Sequence, residues 1–172
     1  MTNPLRSLRE VRAYYNREQL IKRQAKREKS VIYGGQSLVA QLGGLARNTK
    51  DYDVKSRNPR RSASTLQRQL DMAAGGDLYY NRESEFKRGV HKVIFKGDDH
   101  RRNTQDDVGI ADFSKLKRTD KFVVRNGIRY ATLASREFDA RRALKQKKFA
   151  FRAEKDREDI LRIQAYRRFR KV

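Results

Sequence analysis

Between residues 4 and 29, Leu5, Leu8, Val11, Tyr15, Leu20 and Ile21 recur at roughly helical spacing among Arg, Lys and Gln. That pattern predicts one long helix with a narrow apolar stripe. The period then breaks. Val31, Ile32 and Tyr33 form a short apolar run that reads as a buried strand end, followed by Gly34-Gly35, a helix-length apolar segment from Ser37 to Leu42, and a second glycine pair. Lys50 to Lys55 returns to strand-like alternation. After a basic loop over 56–61, Ser62 or Ser64 is expected to cap a helix through about Ala74, with Leu66, Leu70 and Ala73 inward and Gly75-Gly76 ending it.

The second half of the chain reads as strands and then helices. Leu78 to Tyr80 fits a short strand or a turn, and Gly89 to Gly97 fits a strand. The polar stretch from Lys96 to Asp107 fits a hairpin loop that returns along Asp107 to Phe113. Asn126-Gly127 is a strong hairpin signal between strands Phe122–Val124 and Ile128–Tyr130. Thr132 then caps a helix to about Lys148. A last helix spans about Arg152 to Arg168, with Ile160, Leu161 and Ile163 inward. These elements divide the chain into a basic N-terminal helix (1–29), an α/β core (30–130) and a C-terminal helical segment packed on it (131–172).

Charge changes the picture. The 172 residues carry 43 Lys+Arg against 21 Asp+Glu, a formal net charge of +22. A domain this basic repels itself and calls for polyanions, so nucleic acid is the default partner. There are no cysteines and only two histidines, which excludes disulfides and thiolate zinc sites. No apolar run approaches the length of a membrane span, and the basic helices lack an apolar face strong enough for a membrane surface. The expected setting is the cytoplasm, or the interior of a virion or ribonucleoprotein particle, where a protein partner would also be at hand.

The candidate chemistry lies in residues 30–53. Gly34 and Gly35, without a Cβ, permit a sharp turn and a close approach, and the helix that follows presents free N–H groups beside it, a general cradle for anions. Asp51 and Asp53 are two residues apart on a strand, so their carboxylates share a face. Such a pair repels itself unless a cation lies between, and Mg2+ held by carboxylates and substrate phosphates is the commonest reason to build it. The bland alternative is a chance Asp-x-Asp and an ordinary glycine loop. Farther on, Val108, Ile110 and Asp112 share a strand face, and Asp112 reads either as a third ligand or as a turn cap. His91 reads as structural.

The run Gly34-Gly35-x-x-Leu38, then Arg47-x-Thr49-x-Asp51-x-Asp53, resembles the polymerase-β-like nucleotidyltransferase superfamily, and within it the branch of AbiE-type toxin nucleotidyltransferases. Gln36 stands where the family usually carries Thr or Ser, and Ser37 follows directly. The tail Arg152-Ala-Glu-Lys155-Asp156-Arg-Glu-Asp159-Ile160 resembles the family's C-terminal motif. The likeness covers about residues 30–165, and its weight comes from the joint order of three motifs. It implies an α+β fold, a mixed β-sheet flanked by helices. It also implies that Asp51, Asp53 and Asp112 bind Mg2+ and act in catalysis, with Gly34, Gly35, Ser37 and Arg47 at the nucleotide's phosphates. Lys145 and Lys155 would approach the triphosphate or the first motif; plain salt-bridge roles for Lys155, Asp156 and Asp159 fit the sequence equally.

Two functions are compatible with this sequence. One is a metal-dependent nucleotidyltransferase that moves a nucleotide from a nucleoside triphosphate to a nucleic-acid acceptor, RNA (tRNA by family analogy) in preference to DNA, as a toxin. The other is an inactive nucleotidyltransferase fold serving as a basic nucleic-acid-binding or structural component of a virion or ribonucleoprotein particle.

Overall fold

A computed structural model describes residues 4–47 and 49–170, with side chains described for 16–47, 49–147 and 149–170. The first helix, α1, runs Pro4–Glu28. The part of its stripe formed by Leu5, Leu8, Val11 and Tyr15 falls outside the described side chains, while Ile21 and Ala25 are buried in the core. Then come β1 (Val31–Tyr33), α2 (Gly34–Leu42), a 3-10 turn over Gly43–Leu45, β2 (Tyr52–Ser56) and α3 (Pro59–Ala74). They are followed by β3 (Tyr79–Ser84), β4 (Lys87–Phe95), β5 (Val108–Lys115), β6 (Phe122–Arg125) and β7 (Ile128–Ala131). The chain closes with α4 (Leu133–Leu144), a 3-10 segment over Lys147–Arg152 and α5 (Ala153–Phe169).

The strands form one seven-stranded sheet in the order β3-β4-β5-β2-β1-β7-β6. β2 runs parallel to β5 and β1 parallel to β7, and the remaining neighbours are antiparallel. The architecture is thus α+β, a mixed sheet flanked by helices. Among the described residues no helix is long and apolar enough to cross a membrane.

The two faces of the sheet differ because the strands alternate. On β2, Tyr52, Val54 and Ser56 are buried, whereas Asp53 and Lys55 are only partly so. Tyr52 and Val54 join Ile32, Val93, Phe113 and Tyr130 in the main core, covered by Ile21 and Ala25 of α1 and by Ala63, Leu66 and Leu70 of α3. The opposite face is covered in part: α2 packs on β1, β2 and β7, and α4 and α5 lie behind it. A small second cluster of Leu38, Leu42 and Ile163 closes that side.

Several boundaries differ from the sequence reading. α3 starts at Pro59, not Ser62. Asn58 accepts a hydrogen bond from the Arg61 N–H, and proline fits the first turn because it has no N–H to satisfy. Ser62 is buried instead, and its hydroxyl donates to Glu28 of α1 at 2.6 Å. Gly75, in the left-handed region, ends α3, and Ala73 is exposed. β2 starts at Tyr52, so Asp51 stands one residue ahead of it. Tyr79 and Tyr80 open a full strand, because β4 supplies the pairing that their own sequence does not specify. α4 ends at Leu144, short of Lys148, and Leu161 points outward at 64% exposure.

Candidate active site

The diglycine turn comes first. Gly34 has φ +65°, and a Cβ at that position would lie 2.2 Å from Asp53 Oδ2. Only glycine meets both demands, a left-handed backbone and contact with the carboxylate. A Cβ on Gly35 would lie 2.9 Å from both Arg47 Nη2 and Thr49 Cγ2. The two glycines thus let α2 begin directly on the acid-bearing segment. Ser37 is fully buried and its Oγ donates to the Gly34 carbonyl at 2.8 Å, holding the turn. Gln36 Nε2 donates to the Thr49 carbonyl at 2.9 Å and pins the loop before β2 to the start of α2. Thr49 Oγ1 in turn donates to Asp51 Oδ1 at 3.1 Å.

The acids are set by sheet register. In the parallel β2–β5 pair, Asp53 stands opposite Asp112, and in the β1–β2 pair Tyr33 stands opposite Asp53. Asp51 is exposed, two residues before Asp53, and its charge acts on both other carboxylates. Burial and then the charges of Asp112 and Asp51 push Asp53 up to about 6, against the smaller opposing pull of Lys155 and Arg152. Asp112 is raised as well, by burial first, with Lys92 drawing it down. Tyr33 is raised by burial and by Asp53, and Ser114 beside it works the other way.

The other expected residues are placed as follows. Arg47 turns toward α5, where its Nε donates to Asp159 Oδ1 at 2.9 Å. Lys155 is exposed in the first turn of α5, within electrostatic range of Asp53. Lys145 is exposed at the C-cap of α4 and is not among the main charges acting on Asp53 or Asp112.

Sequence reasoning missed Arg136. It is 5% exposed, and it donates to both Asp156 (2.7 Å) and Asp159 (3.1 Å), which are themselves fully buried. Arg152 adds two bonds to Asp156 at 2.9 and 3.0 Å. The signal was present: Leu133, Arg136, Ala140 and Ala143 follow helical spacing, so Arg136 sits on the inward stripe of α4. Asp156, Asp159, Ile160 and Ile163 do the same on α5. These charges are the mortar between α4, α5 and the Arg47 loop.

Among the described residues no three His, Cys, Asp or Glu side chains are gathered closely enough to hold a metal as they stand. The donor set nevertheless suits a hard cation. It is all carboxylate oxygen, two of the three acids lie side by side in register, and no described side chain donates a hydrogen bond to Asp53.

No protein-family model matches the sequence, and no curated protein matches it. The structure of the Megavirus polyadenylate synthase superposes with a TM-score of 0.68 at 17% identity, covering 87% of this chain and 31% of that one. The fold is nucleotidyltransferase-like. The chain spans about a third of the length of the Megavirus protein. A Helicobacter pylori protein, JHP933, gives a TM-score of 0.46 at 15% identity, over 77% of this chain and 56% of its own, too low a likeness to add weight. Within this fold, Gly34, Asp53 and Asp112 come together at the centre of the sheet on its partly covered face, with Asp51 at the rim.

Proposed function

We propose that this chain is a metal-dependent nucleotidyltransferase that transfers a nucleotide from a nucleoside triphosphate to an RNA acceptor. The observation that carries the reading is the register pair Asp53–Asp112 with Gly34 pressed against Asp53. Two carboxylates placed side by side, with no described side chain donating to Asp53, are costly unless a cation joins them. Asp51, Asp53 and Asp112 are the residues that would hold Mg2+. Bound there, the ion supplies Lewis-acid stabilisation of phosphate oxygens in an in-line displacement.

The chain's own groups do the rest. The first-turn amides of α2 lack intrahelical acceptors and lie beside Gly34, where they suit the anionic phosphates. The Ser37 hydroxyl is engaged by the Gly34 carbonyl, so it serves the phosphates through the shape of the turn. Lys155 supplies positive charge near Asp53, and Lys145, at the C-cap of α4, is a lesser candidate for the triphosphate. Asp112, with its raised pKa, is suited to take the proton of the acceptor hydroxyl. The net charge of +22 would hold the RNA through salt-sensitive phosphate contacts. The Megavirus neighbour is a polyadenylate synthase, which is in keeping with an RNA acceptor. Membership of the AbiE-type branch, and with it a toxin's role, rests on the sequence motifs.

The net charge also favours a second reading, an inert fold kept as a nucleic-acid-binding or particle component. One experiment separates the two. Purified protein is incubated with each labelled nucleoside triphosphate, Mg2+ and total RNA. Label should enter RNA, and Asp53→Asn should abolish the transfer while leaving RNA affinity in place. No incorporation from any triphosphate, or transfer undiminished in Asp53→Asn, overturns the enzyme reading.

A further inference from the structure

Of the three carboxylates, Asp112 has a lysine of its own. Lys92 stands opposite Asp112 in the antiparallel β4–β5 pair, and its Nζ lies 3.5 Å from Asp112 Oδ2, with both side chains 34% exposed. Across the partly covered face the register therefore runs Lys92, Asp112, Asp53, Tyr33. An ion pair this exposed adds little to stability, so folding alone gives no reason for a lysine there.

Charge gives one. Lys92 stands directly on one of the three carboxylates, while Lys155 and Arg152 draw on Asp53 from the start of the last helix. The Lys92 ammonium ends a flexible four-carbon stem, and at 3.5 Å its contact with Asp112 is a long one.

Building on the metal-dependent reading above, we propose that Lys92 is a tethered counter-ion that competes with a divalent cation for Asp112. In the free protein Asp112 is occupied by the ammonium, which a bound cation must displace before Asp112 acts as a ligand. Lys92 is a positioning residue here: it acts through Asp112 and sets how readily the site takes up a cation.

The test is metal binding, not turnover. Mn2+ is titrated calorimetrically into the chain near neutral pH without nucleotide, for the wild type, Lys92→Gln and Lys92→Arg. Lys92→Gln should bind Mn2+ about three- to tenfold more tightly, because a positive charge beside the site is gone. Lys92→Arg should bind like the wild type, since it keeps the charge. The inference is overturned if Lys92→Gln binds no more tightly than the wild type, or if Lys92→Arg matches Lys92→Gln. Asp53→Asn is the control for the underlying reading. If Mn2+ binds it as well as the wild type, the metal site itself is wrong. If binding is lost in Asp53→Asn yet Lys92→Gln is unchanged, only the role of Lys92 falls.

Discussion

Two pairs of aspartates in this molecule make opposite use of the same chemistry. Asp156 and Asp159 are fully buried on α5, and each is met by guanidinium groups from other parts of the chain: Arg136 for both, Arg152 for Asp156, Arg47 for Asp159. Asp53 and Asp112 lie in adjacent strands; Asp53 meets chiefly the charges of Asp112 and Asp51, and Asp112 has the partly exposed Lys92 beside it. One pair is saturated from within and ties helices together. In the other, no described side chain donates a hydrogen bond to Asp53, which is how a binding site differs from a structural ion network. A perturbed carboxylate alone would not separate the two; the identity of its neighbours does.

Breaking the saturated pair should have the largest effect. Arg136→Met leaves two buried carboxylates short of their shared partner, and such a loss costs about 3–5 kcal/mol. The urea midpoint should fall accordingly, and hydrogen exchange should rise first in α4 and α5. A midpoint within error of the wild type would mean that this network is not what docks the C-terminal helices.

Next comes the turn that presses on the unsaturated pair. Gly34→Ala meets both a positive φ and the Asp53 carboxylate at 2.2 Å. It should lose about 1–2 kcal/mol of stability and, because Asp53 must move, about ten- to a hundredfold in transfer rate. Gly44→Ala, with open space around its Cβ, is the control and should change neither.

The smallest effect is also the most diagnostic. Asp53 titrates at about 6 in the fold and near 3.8 when unfolded, so between those values the native state holds the extra proton. Its contribution to stability is therefore fully present below about pH 4 and is lost as pH rises through 6. Asp53→Asn should accordingly raise stability above pH 6, on the order of 1 kcal/mol after allowing for its partial exposure, and give no gain at pH 4. Divalent-metal affinity of the wild type should tighten over the same interval, because the ligand is the deprotonated form. Thermal melts and metal titrations across pH 4–8 check both. A melt showing Asp53→Asn less stable than wild type above pH 6 would place Asp53 with the structural aspartates after all.

Local chemistry determined much of this protein. The strand–diglycine–helix passage at residues 31–42, the Asn126-Gly127 hairpin and the Thr132 cap are set by residues adjacent in sequence, whose backbone preferences act over a few bonds. The spacing of Asp51 and Asp53 likewise set two acids within electrostatic reach of one another. What sequence could not supply was partnership. That β5 lies parallel to β2, in the register that sets Asp112 beside Asp53, is decided by the packing of α1 and α3 over the apolar face, which fixes strand order between segments some sixty residues apart. The same holds for Arg136 and for Lys92. Each is an ordinary charged residue in its own segment, and only the fold decides that one is locked between two buried aspartates while the other stands beside Asp112.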